Sequence, residues 1–138
     1  MISYQNFIDG SGGLVYLATS VQAVPSVRVV SFGVDPHDES TWYIYSMDPA
    51  SPKTVELAQN ENVAIVTAVD LKSGMRINSN HVTMRPSNKQ WSDVQNIFAA
   101  DSGFIRAHHP ESERLYELHF SSLVLETYKP SERRIIEF

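Results

Sequence analysis

Between Leu14 and Met47 three runs rich in β-branched and aromatic residues follow one another with only short polar breaks. Residues 14–21, 25–34 and 41–47 each read as a strand, because such side chains fit a pleated surface better than a helix. The breaks are too short for a helical crossover, so successive strands are expected to be antiparallel neighbours. Pro25 is tolerated at a strand start. Asp35-Pro36-His37-Asp38-Glu39-Ser40 reads as a polar hairpin loop.

The remainder continues the pattern. Residues 4–8 form a short helix, broken by Asp9-Gly10-Ser11-Gly12-Gly13. That glycine cluster is a turn, since a phosphate-cradling loop would need Gly-Lys-Ser/Thr at its end. Ser51 suits an N-cap and Pro52 the first helical position, which predicts a helix over residues 51–60. The apolar run 63–69 predicts a strand buried on both faces. Residues 70–74 form a turn. Residues 75–84 alternate as a strand, with a bulge or bend at Asn78-Ser79-Asn80-His81. Residues 89–100 place Trp91, Val94, Ile97 and Phe98 on one helical face. Residues 114–128 hold one long strand or two short ones. About six strands and two main helices in 138 residues predict a single, mainly β (α+β) domain over 1–138, closed as a barrel or sandwich.

Charge and composition narrow the function. A net charge of −5 with no Lys/Arg block offers no electrostatic pull toward nucleic acid. With no cysteine, thiol catalysis, disulfides and thiolate metal sites are out, and a reducing cytoplasm is the expected setting. No basic-then-apolar leader opens the chain, and no apolar run is long enough to span a bilayer. His108-His109 are adjacent, and His81 and His119 have no carboxylate at ligand spacing, so no metal site is expected. There is no Gly-x-Ser-x-Gly nucleophile setting.

One group of residues carries chemistry. Arg28 lies inside the second strand, Ser46 at the end of the third, and Ser51-Pro52-Lys53 on the first turn of the expected helix. A guanidinium fork, a hydroxyl and a lysine at a helix N-terminus suit a phosphate. Arg76 is the best second cationic candidate, against the plainer reading of a solvated edge charge. Trp42 and Trp91 read as packing residues.

The chain resembles the FMN-binding split-barrel proteins related to pyridoxamine 5'-phosphate oxidase, in particular their short, general-stress-protein-like members. The residues that carry this are Leu17-Ala18-Thr19, Pro25-Ser26-Val27-Arg28-Val29-Val30, Tyr43-Ile44-Tyr45-Ser46, Ser51-Pro52-Lys53 with Glu56-Leu57, Asn60-Glu61-Asn62-Val63-Ala64 and Met75-Arg76-Ile77, in that order over residues 14–128.

The resemblance implies a six-stranded antiparallel split β-barrel with two to three flanking helices, and a homodimer holding FMN in clefts at its interface. It implies that Arg28 and Lys53 contact the FMN phosphate, with Ser51 adding to it. Val29 and Val30 would present backbone to the isoalloxazine ring. Ser46 and Met47 occupy the strand-end position beside the flavin, and Arg76 of the partner subunit would approach the ring edge. The implied activity is that of an FMN-dependent oxidoreductase acting on a small molecule. A non-catalytic flavin-storage protein, or a split barrel binding F420 or haem, are the alternatives. Two departures stand out. Ser79 occupies a position that is often glycine, and residues 133–138 lack the arginine and histidine segment of pyridoxamine 5'-phosphate oxidase itself, so that enzyme's own activity is not expected.

Overall fold

A computed structural model of the chain describes residues 2–46, 60–98 and 114–138. In chain order these form α1 (Tyr4–Gly10), β1 (Leu14–Val21), β2 (Val24–Asp35), β3 (Asp38–Ser46), β4 (Asn62–Thr67), β5 (Arg76–Pro86), α2 (Trp91–Val94), β6 (Arg114–Phe120), β7 (Ser122–Glu126), a 3-10 turn (Pro130–Glu132) and β8 (Arg134–Glu137). Residues 51–59 of the expected helix lie outside the described residues, and Asn60 is not helical.

Six strands close on themselves in the order β4-β1-β2-β3-β6-β5, because β5 also pairs back to β4. Every pairing is antiparallel, and the result is a six-stranded barrel. Closure pairs each of these six strands on both sides over part of its length, which reduces the edge liability of an all-antiparallel sheet. The stretch expected as one strand or two is both: β7 continues β6 along β5 in one register, Val82 opposite Phe120 and Asn78 opposite Val124, with a break at Ser121. β8 adds to the outer edge of β7. It is only four residues long, with Ile136 packed on the core and Ile135 exposed, and carries too little periodicity to be read from sequence.

The barrel interior follows from the period-2 alternation of strand side chains. Val15 and Leu17 of β1, Trp42 and Ile44 of β3, Ile65 of β4 and Ile77 of β5 point inward and are buried. Trp42 is the centre of this core. Its ring lies 4.5 Å from both Phe32 and Phe120, and its Nε1 donates to the Tyr4 hydroxyl at 2.8 Å. Tyr4 in turn donates to the Glu39 carbonyl at 3.0 Å. Burial pushes the Tyr4 phenol well above its usual range, the Trp42 hydrogen bond opposing, so it stays a neutral donor. Through Tyr4 and Phe7, α1 joins the core as an end plug.

Four expectations are corrected. The loop at 35–40 is only the two residues Pro36 and His37, because β3 starts at Asp38. β4 is not buried on both faces: Val63, Ile65 and Thr67 are buried while Ala64 and Val66 are half-buried, so small and β-branched residues gave a continuous run on a strand that alternates. The helix at 89–100 shrinks to α2 with looser turns to Ile97, although its apolar face forms as expected. Asp9 and Gly10 belong to α1, and the turn begins at Ser11. There Gly12 and Gly13 have φ of 63° and 79°, conformations that favour glycine. The bulge is present: Asn80 and His81 both face outward opposite Ala64, between Val63↔Val82 and Ile65↔Ser79.

A second core lies outside the barrel. Val94 and Phe98 pack on the outward side chains Tyr43, Tyr45 and Leu115, with Trp91 and Ile97 at its margin. Ile97 sits directly over Gly33: a Cβ there would stand 1.9 Å from Ile97 Cγ2. Gly33→Ala is therefore expected to lower stability by about 1–3 kcal/mol through overpacking. Chemical denaturation of this variant beside wild type measures the loss.

Candidate functional site

The β2–β3 ladder stops at Phe32↔Ile44, while β2 continues as the partner of β1 as far as Val21↔Val24. The barrel splits at this level. The β1–β2 hairpin extends past the split and closes through Gln22 and Ala23, whose φ of 52° and 64° are costly for residues other than glycine. Asn60 holds this tip, its Nδ2 donating to the Ser20 carbonyl and hydroxyl at 3.2 Å each.

Arg28 lies on the hairpin opposite Leu17, in the inward phase, and is half-buried. Its Nη1 donates to Thr19 Oγ1 at 2.8 Å. Thr19 is buried one inward position beyond Leu17, so the strand pleat itself aims the hydroxyl at Arg28. Val29 faces outward and Val30 inward, packed against the main core. Ser46 ends β3 opposite Arg114, and continuing the β2–β3 register brings it level with Val30. Arg28, Val30 and Ser46 thus share one end of the barrel. Met47, Ser51 and Lys53 lie outside the described residues.

Arg76 is elsewhere in the same chain. It opens β5, donates from Nη1 to the Gly74 carbonyl at 3.0 Å, and pairs through Nη2 with Glu126 at 3.4 Å. Arg28 and Arg76 are three strands apart, and Arg76 stands three residues along β5 from Ser79, which shares the cross-sheet row of Arg28. They also stand in opposite phases of the sheet: Arg76 shares the phase of Asn78, which lies in one cross-sheet row with Val66, Tyr16 and Val29. One chain does not bring the two cations together.

The outer face beside this end is apolar and open. Val27, Val29 and Tyr16 are 69%, 52% and 44% exposed, and Leu14 continues the patch along β1. α2 covers the β3–β6 side of the barrel and leaves this side uncovered among the described residues. Sequence reading assigns Tyr16 and Arg114 no role at the site, and Thr19 enters there only as the end of Leu17-Ala18-Thr19. Thr19 was legible in principle, since it keeps the inward alternation of Val15 and Leu17 while ending it with a hydroxyl. Arg114 becomes relevant only through its pairing with Ser46, which no local pattern encodes. Among the described residues no group of three His, Asp or Glu could hold a metal ion, and no helix is long and apolar enough to cross a membrane.

No protein-family model and no curated protein matches the sequence. Solved structures do. A NimC/NimA family protein from Clostridium acetobutylicum superposes with a TM-score of 0.67 at 19% identity, over 97% of this chain and 89% of that one. A pyridoxamine 5'-phosphate oxidase-related, FMN-binding protein from Nostoc punctiforme gives 0.60 at 12% identity, over 97% and 93%. A heme-binding protein from Mycobacterium smegmatis gives 0.68 at 9% identity, over 99% of this chain and 60% of that one. With the closed six-stranded barrel and its split at Phe32, these likenesses give this chain the split-barrel fold found in pyridoxamine 5'-phosphate oxidase-related proteins.

Proposed function

We propose that this protein binds FMN between two copies of the chain and acts in the cytoplasm as an FMN-dependent oxidoreductase on a small molecule. The observation that carries this reading is the Arg28 guanidinium, held by Thr19 on β2 where the β2–β3 ladder has ended and the barrel opens. A cation at an opening of the barrel suits the phosphate end of a ligand. When bound, FMN supplies the electron transfer.

This chain's residues bind and orient. Arg28 offers a planar fork to the phosphate, with Ser51 and Lys53 adding a hydroxyl and a second cation. Val29 and Val30 lend backbone to the ring, with Ser46 and Met47 beside it. The partner's Arg76 reaches the ring edge, which accounts for its distance from Arg28 within one chain. The exposed strip of Val27, Val29, Tyr16 and Leu14 is the dimer contact in this reading, since a patch of this kind marks an interaction surface.

Fluorescence titration tests the cofactor: FMN emission should quench to a stoichiometry of one per chain, and F420 and haemin should bind more weakly. Reduction of the bound flavin by NADH or NADPH would favour an oxidoreductase over a storage protein. Haem is the second reading, favoured by the Mycobacterium smegmatis neighbour. A Soret band after haemin addition, with FMN emission unchanged, would replace the first reading by the second. Val29→Asp is expected to convert the dimer to monomer and to abolish FMN binding, because it buries a carboxylate in an apolar contact. Light scattering on the purified variant measures this, and a dimer that still binds FMN would remove the strip from the interface.

A further inference from the structure

A groove of about 500 Å³ opens on the outside of the barrel between α1, the Gly12-Gly13 turn and the turn that follows α2. Its floor is apolar, formed by Gly33 and Val34 of β2, with Ile8 and Ile97 as walls. The wall is fixed by packing, because Ile97 occupies the space above Gly33 that a side chain would fill. Its rim is polar and comes from Gln5, Asp9 and Asn96.

Among the described residues, Asp9 is the one charged side chain at this rim. Gln5 and Asp9 stand one turn apart on α1, and Gln5 Nε2 donates to Asp9 Oδ1 at 2.8 Å, which orients the carboxylate. Among the described residues, no lysine, arginine or histidine lines the groove. Asp35, on the adjoining strand end, accepts from the Tyr43 hydroxyl at 2.6 Å. Burial works against its ionisation, but hydrogen bonds from Tyr43 and the His37 N–H outweigh it and hold the carboxyl below its usual range. Lys89 and His37 stand near Asp35, and among the described residues neither lines the groove.

We propose that this groove is a binding site for a small, mainly apolar molecule that is neutral or positively charged, with Asp9 receiving its polar end. The apolar floor takes a ring or alkyl body, and the carboxylate with two carboxamides takes a donor group at the rim. An anion would meet Asp9 with no compensating cation among the described lining residues. The site goes beyond the flavin reading and does not depend on it.

Isothermal titration calorimetry with three naphthalene probes tests this on the full chain: 1-naphthylmethylammonium, 1-naphthylmethanol and 1-naphthylacetate. The ammonium probe is expected to bind about threefold more tightly than the alcohol, the scale of one exposed charge pair. The carboxylate probe is expected to bind most weakly. Asp9→Asn should bring the ammonium probe down to the level of the alcohol and leave the alcohol unchanged. Gln5→Trp, at an exposed helix position where folding is not at stake, should weaken all binding by filling the rim. Binding of the carboxylate probe as tightly as the ammonium, binding unaffected by Gln5→Trp, or no binding of any probe would each overturn the proposal. None of these readouts uses FMN, so a chain that binds no flavin would leave the groove standing.

Discussion

Arg28→Ala is expected to weaken FMN binding by about 1.5–3 kcal/mol, roughly 10- to 150-fold in Kd, the range for losing a hydrogen-bonded charge on a phosphate. Arg28→Lys should fall between the variant and wild type, because an ammonium keeps the charge and loses the fork. The Thr19 contact makes a second outcome readable. If Arg28 served only to satisfy the buried Thr19 hydroxyl, Arg28→Ala would lower stability by about 1 kcal/mol and leave FMN affinity unchanged. Fluorescence titration together with thermal melting of the apoprotein separates the two roles.

Trp42→Ala is expected to cost about 3–5 kcal/mol of folding stability, the range for removing a fully buried indole from a closed core. Three losses coincide there. The cavity empties the space between Phe32 and Phe120, the Tyr4 hydroxyl loses the donor it accepts from, and α1 loses its anchor. For a chain of this length the drop corresponds to a fall in Tm of roughly 10–20 °C. Trp42→Phe should recover most of the packing while still removing the Nε1 donor. Differential scanning calorimetry of the two variants distinguishes packing from hydrogen bonding. A small effect for Trp42→Ala would mean that the barrel core is organised around other residues.

Much of the barrel was legible in the sequence because its strands obey local rules. β1 starts and ends where its β-branched run does, and the disturbed alternation at residues 78–81 marks the bulge. The apolar face of Trp91, Val94, Ile97 and Phe98 was legible too, even though the helix carrying it is short. What was not legible depends on distant partners. β8 exists because β7 presents an edge to it, and the alternation of β4 is set by β1 and β5 rather than by its own sequence, whose Val63-Ala64-Ile65-Val66 does not alternate. The candidate site divides the same way. Arg28 stood out as a cation inside a strand and Thr19 follows the inward alternation of β1, while Arg114 matters only through cross-strand register. The groove rimmed by Gln5 and Asp9 joins residues nearly ninety positions apart from Asn96, which no local motif could announce.

The most direct test of the account is the absorbance spectrum of the purified protein, followed by the mass of any ligand released on denaturation. The account predicts flavin bands and a released mass equal to FMN, or their appearance once FMN is added to the apoprotein. A colourless protein that takes up no added FMN would contradict it.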